Sequence, residues 1–575
     1  MKVSLASGAS LLASLCYTIV CAAQSTSTST PTPSSTTFVD EPTVSIHGYG
    51  TLQGNRSQYV NSVYNFKGVP YAAAPTGQYR WKHPPHPVPW NDTRDATQFS
   101  LPCPQPGVGN YSEDCLYLNV WTPENATLND VYSSTVGAGV LPNATNSQYP
   151  VYVWIYGGRF AGGASSDSIY DGAGLAAKGV VVVSMNYRLG ALGFLAHPEL
   201  SANSSSGTSG NYGLVDQQAS LHWTIENCAA FGGDPTRITI GGQSAGAASV
   251  IEHLNSPLAA GLFTQVIAES GVRYPSDPLI GSLAQSYRQL AEAETQGAAY
   301  ITTLNVSSIN EARDLPVEAF LSSGSLSDTT YVGTVFQNNS NYMEPPLFRP
   351  VLDGYVLPAT YQSLLSSGNH SIVPVLTGNN KDESGASPSP GLSVANYTSI
   401  NQLDFGSVGL ADEFLALYPA GNSSTSADNS SNAFYRDQSR TGTWLWASEY
   451  TSGSQNFSSN TGNFTAYTYY WTHAPPGQSR GAYHMSEINY AFNNLYGTNS
   501  PWTAEDYVIA DTMSSYWANF IKNGDPNGDG LVAWPASTAD SAVTMELGDA
   551  FEVIPVANSS NIAFVKEWFT KWPVY

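Results

Sequence analysis

The segment RITIGGQSAGA, from Arg237 to Ala247, constrains the fold of this chain more than any other feature. Two alternating isoleucines indicate a strand, a glycine-bounded turn follows, and an unbroken run from Ala245 indicates the start of a helix. A G-x-S-x-G turn of this kind holds Ser244 at a strained elbow with its hydroxyl exposed, as a catalytic nucleophile requires. A bare match could also be an ordinary loop in a chain with 51 glycines, so it is the flanking strand and helix that favour a nucleophile.

The first 23 residues predict a secretory signal peptide. Lys2 precedes an uncharged apolar run that ends in the small residues Cys21, Ala22 and Ala23. A transmembrane helix is the alternative, but the Ser/Thr/Pro-rich tail that follows at residues 24–37 contains no basic residue and favours cleavage. We therefore expect a mature chain that starts near Gln24, is secreted, and has no stable membrane insertion.

Composition narrows the class of protein further. A hydrophobic content of 42% excludes wholesale disorder, and a net charge of −23 argues against binding to nucleic acid or anionic membranes. Acceptor sequons for N-glycosylation are frequent, which agrees with a secreted glycoprotein. They begin at Asn55, Asn91, Asn110, Asn125, Asn143, Asn203, Asn305, Asn338, Asn369, Asn396, Asn422, Asn429, Asn456, Asn463 and Asn558.

Cysteine spacing predicts one disulfide. Cys103 and Cys115 have eleven residues between them, in a Pro- and Gly-containing segment, so a small loop closed by their disulfide is the natural pairing. Closing such a loop contributes about 3 kcal/mol by chain entropy. Cys228 lies in an apolar helical run and is expected to be a buried, inert thiol. Two prolines separate His83 from His86, which prevents a helical ligand pair, and we expect neither a metal site nor a cofactor.

The hydrophobic pattern alternates between short strands and helices, as in a doubly wound α/β protein. Strands are predicted at residues 64–69, 116–121, 151–156, 180–186, 238–241, 265–270 and 371–378. Helices are predicted at residues 214–231, 245–255, 283–295 and 504–523. Several strands are apolar without alternation, which indicates parallel strands buried on both faces. The Ser/Asn-rich segment 422–431 is predicted to be a surface loop.

Two stretches, SEDCLYLNV at residues 112–120 and the segment 231–246, carry a resemblance to a known family. Supporting matches lie at residues 66–71, 186–188, 210–217, 517–520 and 524–527. On these residues the chain resembles the type-B carboxylesterases of the α/β-hydrolase superfamily, in particular secreted fungal members; the family also holds cholinesterases, lipases and non-catalytic adhesion proteins. The resemblance implies one domain, residues 38–575, with a large, mostly parallel central sheet flanked by helices and a small N-terminal β subsheet.

A serine nucleophile needs a base and an orienting acid, and in this fold the chain order is serine, acid, histidine. The segment GNNKDES at residues 378–384 resembles the acid loop of the family, with Glu383 at the catalytic position and Asp382 as its rival. The segment GAYHMSEI at residues 481–488 resembles the histidine loop, which places His484 as the base. Ser270 and Glu487 match positions that support this site.

The family resemblance also implies an oxyanion hole. The predicted strand at residues 151–156 runs into Gly157-Gly158-Arg159-Phe160, so the expected donors are the backbone N–H groups of Gly158, Arg159 and Ala245. Arg159 departs from the usual third glycine. Its side chain must leave a crowded loop, and we expect it either to favour acidic or hydrogen-bonding acyl groups or to be merely structural.

The resemblance implies a secreted serine carboxylesterase that acts on small-molecule esters. A lipase or sterol esterase is one alternative, and a binding or adhesion protein on the same fold is another. The disulfide loop is too short and polar to form the long amphipathic lid of family lipases, so an open gorge without interfacial activation is expected. It also lacks the tryptophan with which family cholinesterases stack on a quaternary ammonium, which argues against choline esters.

Overall fold

The computed structural model describes residues 41–129, 149–280, 286–330, 332, 343–387, 391–454 and 465–574. The predicted signal peptide and Ser/Thr/Pro-rich tail therefore lie outside the described residues. Within those residues, no helix has an apolar stretch long enough to cross a membrane.

The strands are β1 (Thr43–Ile46), β2 (Gly50–Gln53), β3 (Asn55–Arg56), β4 (Val63–Pro70), β5 (Thr93–Asp95), β6 (Tyr117–Pro123), β7 (Tyr149–Ile155), β8 (Val181–Met185), β9 (Gly233–Gln243), β10 (Gln265–Glu269), β11 (Arg288–Gln289), β12 (Val351–Leu352), β13 (Val375–Asn380), β14 (Ala466–Trp471), β15 (Val543–Leu547) and β16 (Glu552–Pro555). The helices are α1 (Ala173–Ala176), α2 (Gly190–Phe194), α3 (Pro198–Ala202), α4 (Tyr212–Asn227), α5 (Ala245–Asn255), α6 (Leu290–Thr303), α7 (Ile309–Asp314), α8 (Tyr361–Ser367), α9 (Val394–Gly406), α10 (Ala411–Leu417), α11 (Ser424–Ser454), α12 (Ile488–Ala491), α13 (Ala504–Asn523) and α14 (Ser559–Phe569).

An 11-stranded mixed sheet forms the centre of the molecule, in the order β16-β15-β14-β13-β10-β9-β7-β8-β6-β4-β3. The strands from β15 to β8 are parallel, and the pairs at both edges are antiparallel. Strand β8 is fully buried, as an apolar parallel strand covered on both faces should be. A separate three-stranded sheet, β1-β2-β5, lies near the N-terminus. The predicted α/β-hydrolase architecture, including its small N-terminal subsheet, is confirmed.

The sequence pattern predicted the bounds of some helices accurately, whereas other predicted bounds differ from the structure. Helix α13 covers the predicted residues 504–523, because Thr503 and Asp506 form a capping box at its start and Gly524, with φ 72°, ends it. The strand predicted at residues 371–378 begins later, at Val375. The helix predicted at residues 283–295 begins only at Leu290, after strand β11, and its first predicted positions lie outside the described residues.

The prediction of a surface loop at residues 422–431 is wrong, because most of this segment is the first part of the 31-residue helix α11. The hydroxyl of Ser423 accepts a hydrogen bond from the backbone N–H of Ser426 at 3.1 Å, so a serine helps to start the helix. Later residues such as Phe434 and Trp446 are buried against the rest of the protein. Tertiary burial of that face outweighs the weak helix propensity of serine and asparagine.

The predicted disulfide joins Cys103 to Cys115, and Cys228 is a buried free cysteine. Burial raises the pKa of the Cys228 thiol, as expected for an inert side chain.

A buried ion pair fixes the segment after β8 against helix α4. Arg188 donates to Asp216 through Nη2 at 2.6 Å and through Nε at 2.7 Å, and both residues are at most 2% exposed. The same carboxylate accepts the backbone N–H of Arg188 at 3.1 Å. Because charges this deep are tolerated only when paired, each partner depends on the other.

We expect Asp216→Asn to lower the free energy of unfolding by about 3–5 kcal/mol, because it leaves the Arg188 charge buried without a counterion. Asp511→Asn is the matched control, since it removes the partner of Lys178 in a pair whose carboxylate is 72% exposed. That change should cost less than about 1 kcal/mol. Urea unfolding of both variants measures the difference, and similar midpoints would contradict a stabilising role for the buried pair.

Candidate active site

Ser244 lies at the turn between β9 and α5, in the strained conformation expected of a nucleophile elbow. Its backbone has φ 59° and ψ −123°, a region that residues with side chains rarely adopt. The backbone N–H of Ser244 donates to the carbonyl oxygen of Glu269 at 2.9 Å, which ties the turn to the end of β10. A Cβ at Gly246 would lie 2.0 Å from the carbonyl oxygen of Ile155, so glycine is required there. The Ser244 side chain remains partly exposed.

Glu383 and His484 meet beside this elbow. Glu383 follows β13 and His484 follows β14, so adjacent parallel strands bring the two loops to the same edge of the sheet. The distance from His484 Nδ1 to Glu383 Oε2 is 2.5 Å. Asp382 instead pairs with Arg436 at 2.5 Å and accepts the backbone N–H of Ala482 at 2.9 Å. Of the two sequence candidates for the acid, Glu383 is thus the one that contacts the imidazole.

The contact between these two side chains shifts both of their pKa values. Burial disfavours the charged imidazolium, but the Glu383 carboxylate outweighs this effect and raises the pKa of His484. Burial would likewise raise the pKa of Glu383, but His484 and the backbone N–H of Asn380, at 2.8 Å, hold it below its ordinary value. The arrangement therefore keeps an ionised carboxylate against a basic imidazole.

Ser244 and His484 are both described by the structure, and they form no hydrogen bond with each other. The Gln243 amide nitrogen lies 3.2 Å from His484 Nε2 and 3.4 Å from His484 Nδ1. Catalytic hydrogen bonds are often long before substrate binds, so this geometry is compatible with a serine–histidine pair. The three side chains of the predicted triad lie at the carboxyl ends of β9, β13 and β14, where open α/β sheets place their sites.

The loop after β7 packs directly on the elbow. A Cβ at Gly157 would lie 2.9 Å from the Ser244 Cβ, so the backbone of this loop lies directly against Ser244. Gly158, Arg159 and Phe160 follow with φ values of 105°, 60° and 58°. The backbone N–H groups of Gly158, Arg159 and Ala245, at the expected oxyanion positions, donate to no other group among the residues described. They remain available to an oxyanion.

The disulfide loop holds the loop after β7 in place, a contact that sequence reasoning missed. Gln105 is buried, and its amide exchanges two hydrogen bonds with the backbone of Gly163: the N–H of Gly163 donates at 2.7 Å, and Gln105 Nε2 donates to the carbonyl at 2.8 Å. The two proline neighbours of Gln105 gave no sign that this polar side chain turns inward. The loop is thus part of the site rather than a separate surface feature.

A buried polar cluster lies behind the triad. Glu487 and Glu269 are both fully buried; Asn380 donates to Glu487, and Trp517 Nε1 donates to Glu269 at 2.9 Å. Burial raises the pKa of both carboxyl groups, which favours their protonated forms. Ser270, with φ 52°, lies at the end of β10, and its buried hydroxyl forms no hydrogen bond with the described residues. The sequence drew attention to Ser270 and Glu487 but not to Glu269 or Asn380.

No three His, Cys, Asp or Glu side chains of the described ranges are grouped so that they could hold a metal ion. The arrangement at the elbow instead contains the parts that serine acyl transfer needs: an exposed hydroxyl, an imidazole oriented by a carboxylate, and unused N–H donors.

Comparison with known proteins agrees with this chemistry. Residues 40–565 match the model of the carboxylesterase family. The chain is 33% identical over 517 residues to the fumonisin B1 esterase of Sphingopyxis macrogoltabida, an alignment that covers 86% of this chain and 85% of that protein. It is 32% identical to the para-nitrobenzyl esterase of Bacillus subtilis (strain 168), covering 87% of this chain and 93% of that protein.

A solved structure of a PNB esterase superimposes with a TM-score of 0.68 at 30% sequence identity, and it covers 91% of this chain and 100% of that one. Family, fold and relatives point to the same activity. The chain therefore belongs to the carboxylesterase family, and it is a serine carboxylic-ester hydrolase with the α/β-hydrolase fold.

Proposed function

We propose that this esterase works through an acyl-enzyme on Ser244, with His484 as general base and Glu383 as the orienting acid. The observation that carries the proposal is the contact of 2.5 Å between Glu383 and His484 beside the elbow. The partly exposed hydroxyl of Ser244 and the three unused N–H donors support it.

In the first half of the reaction, His484 takes the Ser244 proton while Oγ attacks the ester carbonyl carbon. The carbonyl oxygen becomes an oxyanion that accepts from the N–H groups of Gly158, Arg159 and Ala245. His484 then returns the proton to the alcohol oxygen, the C–O bond breaks, and the acyl group remains on Ser244. Glu383 stabilises the imidazolium formed at each stage.

In the second half, water replaces the alcohol. His484 takes a proton from a water molecule while the water oxygen attacks the acyl carbon. His484 then gives that proton to Ser244 Oγ as the carboxylic acid product leaves. Burial favours the neutral forms of Glu269 and Glu487, whereas His484 and the N–H of Asn380 keep Glu383 ionised against the imidazole.

We further propose that the active protein is a secreted glycoprotein with one domain, residues 38–575. The sequence of residues 1–23, the sequons and the disulfide support this proposal. Its substrates are small-molecule esters. Two relatives are named for different compounds, fumonisin B1 and para-nitrobenzyl esters, so membership of the family does not decide the substrate.

The short disulfide loop supports a carboxylesterase rather than a lipase. Eleven residues lie between its cysteines, and Gln105 and Glu113 hold it down, the latter through a pair with Arg80 at 2.6 Å. A loop so short and so anchored cannot swing over the site as a lid.

We expect the purified protein to hydrolyse p-nitrophenyl esters with an optimum at short acyl chains, and Ser244→Ala to lower kcat by about 10⁵–10⁶ because the nucleophile is lost. A series from acetate to palmitate, measured above and below substrate solubility, tests this. Activity that rises at the emulsion interface would indicate a lipase. Turnover that survives in Ser244→Ala would contradict the assigned nucleophile.

The pH dependence of kcat/KM should identify the acid. His484 must be neutral to act as a base, so activity rises as pH increases through its pKa. Glu383→Gln removes the carboxylate that raises that pKa, and the rising limb should therefore move to lower pH, with a loss in kcat of about 10³–10⁴.

Asp382→Asn is the matched control for this measurement, because the neighbouring carboxylate pairs with Arg436 instead of the imidazole. Its rising limb should stay in place. A shifted limb in Asp382→Asn together with an unshifted limb in Glu383→Gln would reverse the assignment of the acid.

A further inference from the structure

Arg159 occupies a backbone position that is unfavourable for any residue with a side chain. Its φ of 60° is left-handed, a strained conformation for a residue with a side chain, whereas glycine would adopt it freely. Phe160, the next residue, is also left-handed, but its ring is fully buried and packs edge-on against Phe194 at 5.0 Å. Arg159, by contrast, is only partly buried.

The guanidinium of Arg159 leaves the oxyanion loop toward the segment that begins at Met343. Nη2 donates to the backbone carbonyl of Glu344 at 2.8 Å. A second cation, the fully buried Arg349, lies close enough to lower the pKa of Arg159, together with the larger effect of desolvation. The guanidinium of Arg159 therefore lies near a second cation.

Of these two arginines, Arg349 is paired with a carboxylate and Arg159 is not, among the described residues. Arg349 donates to Asp328 at 2.9 Å, whereas Arg159 forms no ion pair with any carboxylate of the described residues. The sequence at positions 331 and 333–342, outside those residues, contains no Asp or Glu. In a chain with a net charge of −23, this partly desolvated cation on the loop after β7 thus has no carboxylate partner among the described residues.

The order of strands indicates which part of an ester would meet Arg159. His484 follows β14, on one side of the Ser244 turn in the sheet, and the oxyanion loop follows β7, on the other side. The alcohol must leave toward His484, because this imidazole protonates it. The acyl chain therefore extends toward the oxyanion loop and the guanidinium of Arg159.

We propose that Arg159 is an anion subsite beside the oxyanion hole and binds a carboxylate carried by the acyl group, so that the preferred substrates are half-esters of dicarboxylic or polycarboxylic acids. The proposal rests on the proposed function, since it assumes acyl transfer to Ser244. A guanidinium suits this task because its fork of donors matches both oxygens of a carboxylate, and it carries charge at every pH at which the enzyme works.

Two esters that differ only at the far end of the acyl chain test the proposal: monoethyl glutarate, which ends in a carboxylate, and ethyl pentanoate, which ends in a methyl group. Ethanol release by the full chain gives kcat/KM for each, and their ratio is the readout. Any disturbance of the oxyanion loop by a substitution lowers both values and leaves the ratio unaffected.

We expect the wild-type ratio to favour monoethyl glutarate and to fall about ten- to a hundredfold in Arg159→Met, which keeps the length of the side chain but removes the charge. Arg159→Lys should restore part of the preference, because it keeps the charge without the fork. Glu344→Gln should keep or raise the ratio, since it removes the acidic side chain of the residue that Arg159 contacts. Added salt should lower the rate for the anionic ester more than for the neutral one.

An unchanged ratio in Arg159→Met, or a wild-type preference for ethyl pentanoate, would overturn the proposal while Ser244-dependent hydrolysis of the neutral ester still upheld the proposed function. A preference for a carboxylate in the alcohol instead, measured with an acetate ester of a hydroxy acid, would also overturn it. Failure of the proposed function would look different, since neither ethyl ester would then show turnover that Ser244→Ala abolishes.

Discussion

The close approach of two turns, one after β7 and one after β9, is the constraint on which the whole site depends. Gly157 lies so near the elbow that a Cβ would stand 2.9 Å from that of Ser244, and a Cβ at Gly246 would stand 2.0 Å from the carbonyl oxygen of Ile155. Because neither glycine has a side chain, adjacent parallel strands can place a hydroxyl and a set of free N–H donors at one point. The hydrogen bond from Ser244 N–H to Glu269 then helps to hold the strained turn.

Near this point, three glutamate carboxyl groups differ in their charge state. Glu383 is held ionised by His484 and by the N–H of Asn380, whereas burial favours the protonated forms of Glu269 and Glu487. Burial disfavours the charged form of all three carboxyl groups, and all three accept hydrogen bonds, but only Glu383 also contacts the imidazole of His484, and this contact holds it ionised. On the opposite side of the elbow, Arg159 places a positive charge where the acyl group is expected to extend.

The parts of the site that sequence reasoning missed are those that act through tertiary contacts. Gln105 looked like one polar residue of an exposed loop, yet its amide holds the backbone of Gly163 in the oxyanion loop. Glu269 lies inside the strand predicted at residues 265–270, and Asn380 lies in the segment that resembles the acid loop, where the sequence assigned it no role of its own. Their roles depend on partners far away in the chain, such as Trp517 and Glu487, and no local pattern contains that information.

The linear chain determines those features that short segments specify physically: the elbow with its two glycines, the buried parallel strands, the disulfide, and a helix such as α13 with a cap at each end. It also limits the acid to two neighbouring carboxylates. Only the tertiary structure shows which of the two contacts the imidazole: Glu383 meets His484, while Asp382 meets Arg436, because the loops after β13 and β14 lie side by side. It likewise makes a helix of the Ser/Asn-rich segment in α11, since burial of one face outweighs local propensity.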